Sequence, residues 1–309
     1  MTFTTSPVSS LPVGARYALV SYGADPAQVM DVFLPDAGSA TAAIIFFHGG
    51  GFIRGSRTAG YDGVVRSLSA GVAFFAVDYR LLRTDGTEDE GVIKPLTDSR
   101  TAVQFIRRWA SLFNVDGARL GAYGGSAGAG TSLWLAYHPD MANPDAGTLL
   151  ERQSTRLQAV AALSTQATYD VVRWSSVVYG AEYPQHTNDV LLQVGDFRDA
   201  VVRFYGLDSS LAADAGAILE VLAQPKYVAY RAEVDMLQWM SADDPPTYVE
   251  NLNPDVDPLQ NLLHHPLHGM TVLGHALDAG IEVTAKIPAY NVHTSDAGAA
   301  AVEFLLGAL

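Results

Sequence analysis

A serine set among glycines is the residue of this sequence best suited to nucleophilic chemistry. The stretch GGSAG, residues 124–128, fits the pattern G-x-S-x-G, in which a tight strand-to-helix turn holds a serine hydroxyl above the edge of a sheet. The amide of the next residue, Ala127, would then point toward the oxygen of an attacked carbonyl group. We therefore predict that Ser126 is a nucleophile, provided that a strand precedes it and a helix follows it.

Three successive glycines follow an apolar run in the first part of the chain. The run AAIIFF, residues 42–47, leads directly into HGGGF, residues 48–52. An oxyanion must be met by backbone N–H groups at close range, and a Cβ atom would obstruct that approach. We predict that Gly50 and Gly51, with Ala127, form an oxyanion hole; the alternative is a simple glycine-rich turn.

A serine hydroxyl needs a base that accepts its proton, and a histidine is the usual one. The expected chain order is serine, acid, histidine. Seven histidines follow Ser126: His138, His186, His264, His265, His268, His275 and His293. Only His293, in IPAYNVHTSD, lies between the last predicted strand and the last predicted helix. We predict His293 as the base; the alternative is an ordinary surface histidine.

The acid of a triad should follow the penultimate strand. The segment TYVENLNPDVDPL offers two aspartates there, Asp255 and Asp257. Counting from the strand favours Asp255, whereas Asp257 stands before Pro-Leu at a loop start. Glu250 is disfavoured because it falls within the predicted strand. Asp255 is therefore the predicted acid, with Asp257 as the alternate.

Two further clusters raise the question of a metal site. His264 and His268 would share a helix face, but Pro266 intervenes and no carboxylate has the HExxH placement. The pair Asp243-Asp244 lacks the alternating oxygen ligands of a calcium loop. We predict no metal and no cofactor.

Hydrophobic patterning predicts an α/β fold with a mostly parallel central sheet flanked by helices. The predicted strands are ARYALVSYG, QVMDVFLP, AAIIFF, GVAFFAVDY, ARLGAY, LQAVAAL, TYVEN and IEVTAKI. The predicted helices include YDGVVRSLSA, the segment from Asp98 to Phe113, TSLWLAYH and the closing DAGAAAVEFLLGAL. Strand signals are weak between Thr165 and Ala242, so we predict one domain over residues 1–309 with a mainly helical cap inserted at about 165–242.

Composition limits the partners of the chain. Its 309 residues include 19 basic and 33 acidic side chains, a formal charge of −14, which disfavours nucleic acid and anionic membranes. It has no cysteine, no apolar run long enough for a membrane span and no signal-peptide pattern. We expect a cytoplasmic protein that acts on a small-molecule ester, either as a monomer or as a homodimer.

Taken together, these motifs resemble the α/β-hydrolase superfamily, and specifically its hormone-sensitive-lipase-like carboxylesterase branch. The resemblance rests on HGGGF at 48–52, DYRL at 78–81, GGSAGAG at 124–130, DDPP at 243–246 and His293 before the last helix. It implies a cofactor-free carboxylesterase for short to medium acyl esters, with Gly50, Gly51 and Ala127 as its oxyanion hole. Gly125 departs from the acidic residue usual before the elbow serine, and LRT replaces the APE expected after DYRL.

Other functions fit the same residues. HGGGF also resembles formamidase-like and feruloyl-esterase-like relatives, so a formamide or an aryl ester is an alternative substrate. A non-catalytic small-molecule receptor on a hydrolase fold is a rival from another class. The presence of His293 disfavours that receptor.

Overall fold

One sheet passes through the molecule and carries the elements that the sequence places around Ser126. The computed structural model describes residues 2–293 and 301–309. Within them the strands, in chain order, are β1 Arg16–Ser21, β2 Val29–Leu34, β3 Thr41–Phe47, β4 Ala73–Val77, β5 Val115–Gly125, β6 Ala159–Leu163, β7 Thr247–Glu250, β8 Val283–Ile287 and β9 Val292–His293. Their spatial order is β1-β2-β4-β3-β5-β6-β7-β8-β9.

The sheet is parallel at its centre and antiparallel at both ends. Strands β4, β3, β5, β6, β7 and β8 pair in parallel, whereas β1, β2 and β9 pair antiparallel to their neighbours. All eight predicted strands are present, and β9 was not predicted. The carboxyl ends of β3, β5, β6 and β7 therefore meet at one edge of the sheet, which is where ligands bind in open α/β sheets.

Helices connect the strands. The α-helices are α1 Tyr61–Ser69, α2 Ile93–Arg108, α3 Ala110–Phe113, α4 Ala127–Tyr137, α5 Asn188–Leu191, α6 Phe197–Phe204, α7 Ala215–Leu222, α8 Pro225–Glu233, α9 Met236–Trp239, α10 Pro266–Ala279 and α11 Ala301–Ala308. The single helix predicted from Asp98 to Phe113 begins earlier and is divided, because Trp109 leaves the helical region at φ −110° and ψ 18°. Of the predicted closing helix, residues 296–300 lie outside the described residues.

Two apolar cores lie on the two faces of the sheet. One includes Val64 and Leu68 of α1 with Ala301 and Leu305 of α11. The other includes side chains of α2, α4 and α10 and continues among those of the segment between β6 and β7. Burial on both faces explains why β3 and β4 are continuously apolar in sequence.

The segment between β6 and β7 holds α5 to α9 and, as far as it is described, no strand. It is tied to the sheet layer by hydrogen bonds: Tyr169 donates its hydroxyl to the carbonyl of Ala127 at 2.7 Å, and Trp134 Nε1 donates to the carbonyl of Glu233 at 2.9 Å. This helical segment matches the character predicted for the cap. Its division from the rest of the chain as a separate unit stays a prediction.

No helix of the described residues combines the length and the apolar character that crossing a membrane requires.

Candidate active site

Ser126 occupies a strained turn between β5 and α4. Its backbone has φ 54° and ψ −119°, a conformation that costs a residue with a side chain on the order of 1–3 kcal/mol. Its amide donates to the carbonyl of Leu163 at 2.9 Å, and its carbonyl accepts from the amide of Gly130 at 3.0 Å. Bonds to both the sheet and the helix therefore hold the turn, and the predicted strand–serine–helix context is present.

The glycines around Ser126 are required by close backbone packing. A Cβ on Gly124 would lie 2.3 Å from the carbonyl oxygen of Phe47, and one on Gly128 would lie 2.0 Å from the same atom. A Cβ on Gly49 would lie 2.6 Å from the carbonyl oxygen of Gly125. The serine turn thus packs directly on the end of β3, where the glycine run begins.

The glycine run itself bends through conformations that favour glycine. Gly50 has φ 114° and Gly51 has φ 62°. Both line the same cavity as Ser126 and Ala127. Ala127 is the first residue of α4, so its N–H has no acceptor within the helix and is part of the positive end of the helix dipole. These backbone groups are the ones that an oxyanion beside Ser126 would need.

The side chain of His48 contacts the backbone of the glycine run, residues 49–51. It is buried, its Nδ1 lies 2.8 Å from the carbonyl oxygen of Gly49, and its ring stacks on Tyr79 with 4.2 Å between ring centroids. Tyr79 donates its hydroxyl to the carbonyl of His48 at 2.5 Å. Burial lowers the pKa of His48, although the Gly49 hydrogen bond and Asp78 oppose this. HGGGF and DYRL are therefore one packed unit in space.

The imidazole that reaches Ser126 is that of His264. Its Nε2 lies 3.4 Å from Ser126 Oγ, and its Nδ1 lies 3.0 Å from the carbonyl oxygen of Ser164. A carbonyl oxygen can only accept, so Nδ1 carries the proton and Nε2 presents its lone pair to the serine. A separation of 3.4 Å exceeds the usual 2.6–3.2 Å or so, as is common before substrate binds.

Burial shifts the pKa of His264. It lowers the pKa of His264 from the ordinary 6.5, and the Ser164 hydrogen bond opposes this effect. Asn251, which follows β7, donates its side-chain amide to the His264 carbonyl at 3.1 Å. Groups at the carboxyl ends of β6 and β7 thus fix the position of His264, whose ring is uncharged at pH 7.

His293 lies elsewhere in the described residues. It is exposed and pairs with Lys286 across β8 and β9. One register row of the sheet runs from Gly125 through Leu163, Glu250 and Lys286 to His293. Four strand spacings separate its ends by about 19 Å, more than a serine and a histidine side chain can bridge. The structure therefore does not bring the predicted base His293 to Ser126.

The two predicted acids pair with other histidines. Asp255 Oδ1 lies 3.2 Å from Nε2 of His265, and Asp257 Oδ1 lies 3.3 Å from Nε2 of His186. Asp257 Oδ1 also accepts from the amide of Leu259 at 2.9 Å. In the described part of the chain, neither carboxylate forms a hydrogen bond or ion pair with His264 or His293. The carbonyl of Ser164 holds the position that a triad acid would take beside His264.

His264, His265 and His268, which the sequence analysis considered as a metal site, lie in three separate environments. His264 faces Ser126, whereas His265 Nδ1 accepts from the amide of Leu267 at 3.1 Å at the start of α10. His268 is buried, accepts from the amide of Ala167 at 3.1 Å, and has its pKa lowered by burial to about 3. Sequence reasoning did not select His264 as the partner of Ser126; its one signal was a place in the connection that follows β7, whose carboxyl end lies at the same sheet edge as Ser126.

A cavity of about 450 Å³ opens beside Ser126. Its walls are mostly apolar, with Phe52 from the glycine run and a larger set from the segment between β6 and β7: Tyr169, Val171, Trp174, Phe197, Val201 and Phe204. Ser126, His264, Gly50, Gly51 and Ala127 line the same space. Ser126, His264 and the glycines therefore line one mostly apolar compartment.

Comparison with known proteins connects this geometry to a family. The family model described as BD-FAE matches residues 30–195, which include both the glycine run and the serine turn. A comparison with curated protein sequences found no match.

Solved structures share the fold at low sequence identity. A truncated carbohydrate esterase from gut microbiota is 17% identical, with a TM-score of 0.62 over 91% of this chain and 89% of its own. An acetyl ester-xyloside bifunctional hydrolase from Caldicellulosiruptor lactoaceticus is 16% identical, with a TM-score of 0.58 over 90% and 86%. Esterase 2 of Thermogutta terrifontis, phosphoramylated by tabun, is 16% identical, with a TM-score of 0.56 over 94% and 91%. These likenesses confirm the predicted α/β-hydrolase fold.

Proposed function

The chain belongs to the BD-FAE family of α/β-hydrolase-type esterase domains, and from that premise we propose that it hydrolyses short to medium acyl esters through an acyl-serine intermediate on Ser126. The observation that carries the proposal is the placement of the Ser126 hydroxyl. Its Oγ lies 3.4 Å from Nε2 of His264, and Ser126 lines one apolar cavity with Gly50, Gly51 and Ala127.

Acylation begins with proton transfer from Ser126 Oγ to Nε2 of His264. The oxygen attacks the ester carbonyl carbon, and the carbonyl electrons move to the oxygen that faces the amides of Gly50, Gly51 and Ala127. When this tetrahedral species collapses, the carbon–oxygen bond to the alcohol breaks. The alcohol leaves with the proton that His264 had taken, and the acyl group stays on Ser126.

Deacylation repeats the steps with water. Nε2 of His264 takes a proton from water, the hydroxide attacks the acyl carbon, and the same amides hold the oxyanion. Collapse returns the proton to Ser126 Oγ and releases the carboxylic acid. Throughout, the Ser164 carbonyl accepts from Nδ1 of His264, which stabilises the imidazolium formed in each half-reaction.

The size and lining of the cavity support short to medium acyl esters. About 450 Å³ of mostly apolar space suits a ligand of small-molecule size. The activities named for the structural relatives, on carbohydrate esters and acetyl esters, point the same way. The tabun adduct of the Thermogutta enzyme is consistent with a nucleophile that organophosphorus reagents modify.

The first experiment tests Ser126. A fluorophosphonate probe should label the wild-type protein but not Ser126→Ala, and the variant should lose p-nitrophenyl acetate hydrolysis by about 10⁴-fold or more. Ser132, buried in α4, supplies the matched control Ser132→Ala, which keeps its labelling. Equal labelling and turnover in Ser126→Ala would exclude the acyl-serine mechanism. Tight binding of one small molecule without turnover of any ester would instead favour a receptor.

A second experiment separates the two candidate bases. His264→Gln should abolish burst labelling and turnover, whereas His293→Gln should retain most of both, because only His264 lies within reach of Ser126. The reverse result would assign proton transfer to His293 and require a different arrangement of the chain after β8. Parallel assays with an aryl formamide and a feruloyl ester show whether either is preferred to acetyl and butyryl esters.

A further inference from the structure

Two arginines line the cavity beside Ser126. Arg54 lies three residues after Gly51, and its amide donates to the Gly50 carbonyl at 3.3 Å. Arg203 lies in the last turn of α6 and lines the same cavity. No aspartate or glutamate is among the described residues that line this cavity.

Neither guanidinium is used for structure. Within residues 2–293 and 301–309, no salt bridge or side-chain hydrogen bond engages Arg54 or Arg203. Some arginines elsewhere are paired with carboxylates, such as Arg80 with Asp98 at 2.7 Å and Arg231 with Asp170 at 2.7 Å. Arg203 also borders a smaller cavity with Glu88 and Asp199, but Glu88 is already bound by a lysine, Lys94, at 2.5 Å.

The local charge is opposite to that of the protein. A chain with a formal charge of −14 repels anions, yet two arginines without an ion pair line a compartment whose walls are mostly apolar. A guanidinium offers paired N–H groups that match the two oxygens of a carboxylate, and apolar surroundings strengthen such a bond. We therefore propose that Arg203 and Arg54 form a carboxylate-binding subsite, so that the preferred substrates are apolar esters that carry a carboxylate. This inference rests on the proposed esterase function.

Hydrolysis of matched substrates tests the preference. Mono-4-nitrophenyl adipate carries a carboxylate on its acyl chain, and 4-nitrophenyl methyl adipate is its neutral counterpart. 4-Acetoxybenzoate and its methyl ester place the same difference on the alcohol side. We expect kcat/KM to be about 10-fold higher for the anionic member of at least one pair, and the preferred pair identifies the side that faces the arginines. The advantage should shrink as ionic strength rises.

Variants connect the preference to the two side chains. Arg203→Gln and Arg54→Gln should each lower the anionic-to-neutral ratio of kcat/KM several-fold, and Arg203→Lys should retain part of it. Arg198→Gln is the matched control, because Arg198 lies on the same helix but outside the cavity lining. A preference that survives both glutamine changes, or no preference in the wild type, would overturn the inference while leaving ester hydrolysis intact.

A binding measurement keeps the inference testable without turnover. In Ser126→Ala, calorimetry should show 4-phenylbutyrate binding about 10-fold more tightly than 4-phenyl-1-butanol, with the difference reduced by Arg203→Gln. Equal or weaker binding of the carboxylate would reject the subsite. Absence of hydrolysis in the wild type together with retained carboxylate binding would reject the esterase function alone.

Discussion

Ser126 Oγ and His264 Nε2 lie 3.4 Å apart although 138 positions separate the two residues in the chain. The carboxyl ends of β5, β6 and β7 bring them together, since Ser126 follows β5, the Ser164 carbonyl that holds His264 follows β6, and Asn251 follows β7. In the proposed mechanism this pair is the nucleophile and the base, and a main-chain carbonyl orients the base in place of a carboxylate.

Activity should depend on the protonation of His264. Burial lowers its pKa below 6.5, and only the neutral ring can accept the serine proton. We expect kcat/KM to fall as pH decreases, with its midpoint below pH 6.5, and to be level between that midpoint and pH 8. The measurement is a kcat/KM profile with a neutral ester, with circular dichroism at each pH to show that the fold is retained. A midpoint above pH 7 would contradict the assignment.

Removal of a carboxylate charge should have a small effect on turnover. Asp255→Asn weakens the pair with His265, and Asp257→Asn weakens the pair with His186, but neither group touches His264. We expect each variant to retain kcat within about 10-fold, compared with losses near 10⁴-fold when a triad aspartate is replaced. Should either variant lose activity on the larger scale, that aspartate would be the triad acid.

Gly128 should tolerate no side chain. Gly128→Ala would place a Cβ 2.0 Å from the carbonyl oxygen of Phe47, so the serine turn and the end of β3 would have to separate. We expect a loss of about 1–3 kcal/mol in the free energy of unfolding and a large loss of turnover. Urea unfolding and ester hydrolysis measure the two effects. Gly147→Ala is the control, because its Cβ would meet no atom within 4 Å; equal behaviour of the two variants would refute the packing argument.

A buried ion pair beside the smaller cavity should matter for stability. Lys94 Nζ lies 2.5 Å from Glu88 Oε2, and both side chains are almost fully buried. Burial alone would raise the pKa of Glu88, but hydrogen bonds from Lys94, Arg83 and Gly91 lower it. Lys94→Met leaves an unpaired buried carboxylate and should cost about 3–5 kcal/mol in the free energy of unfolding.

The pH dependence of that stability has a defined sign. Because the folded-state pKa of Glu88 is lowered, its contribution is present above the pKa of the unfolded chain and is lost as pH falls through the folded-state pKa. Urea unfolding of wild type and Lys94→Met from pH 7 to pH 3 should show the difference between them shrinking toward low pH. The double variant with Glu88→Gln should recover part of the loss; no recovery would argue against an uncompensated charge as the cause.

Local patterns were enough to predict the parts of the site that depend on backbone. The glycines of HGGGF and GGSAG, each directly after a run with strand character, predicted where β3 and β5 end and where the chain must come close to itself. The structure bears out that proximity, because added Cβ atoms at Gly49, Gly124 and Gly128 would collide with main-chain oxygens. The eight predicted strands followed from apolar runs whose burial on both faces leaves little choice of structure.

The identity of the histidine beside Ser126 could not follow from such patterns. His293 was predicted from chain order, but β9 pairs with β8 at the far edge of the sheet and holds it four strands from β5. His264 was weighed as a base and as a metal ligand and set aside in both roles, and nothing in HHPLH shows which ring faces which neighbour. The sequence by itself determined the nucleophile turn and the glycine run, since both depend on short-range steric limits of the backbone. Only the tertiary structure decided the partner of Ser126, because side chains distant in sequence meet according to strand order and register, which no local pattern encodes.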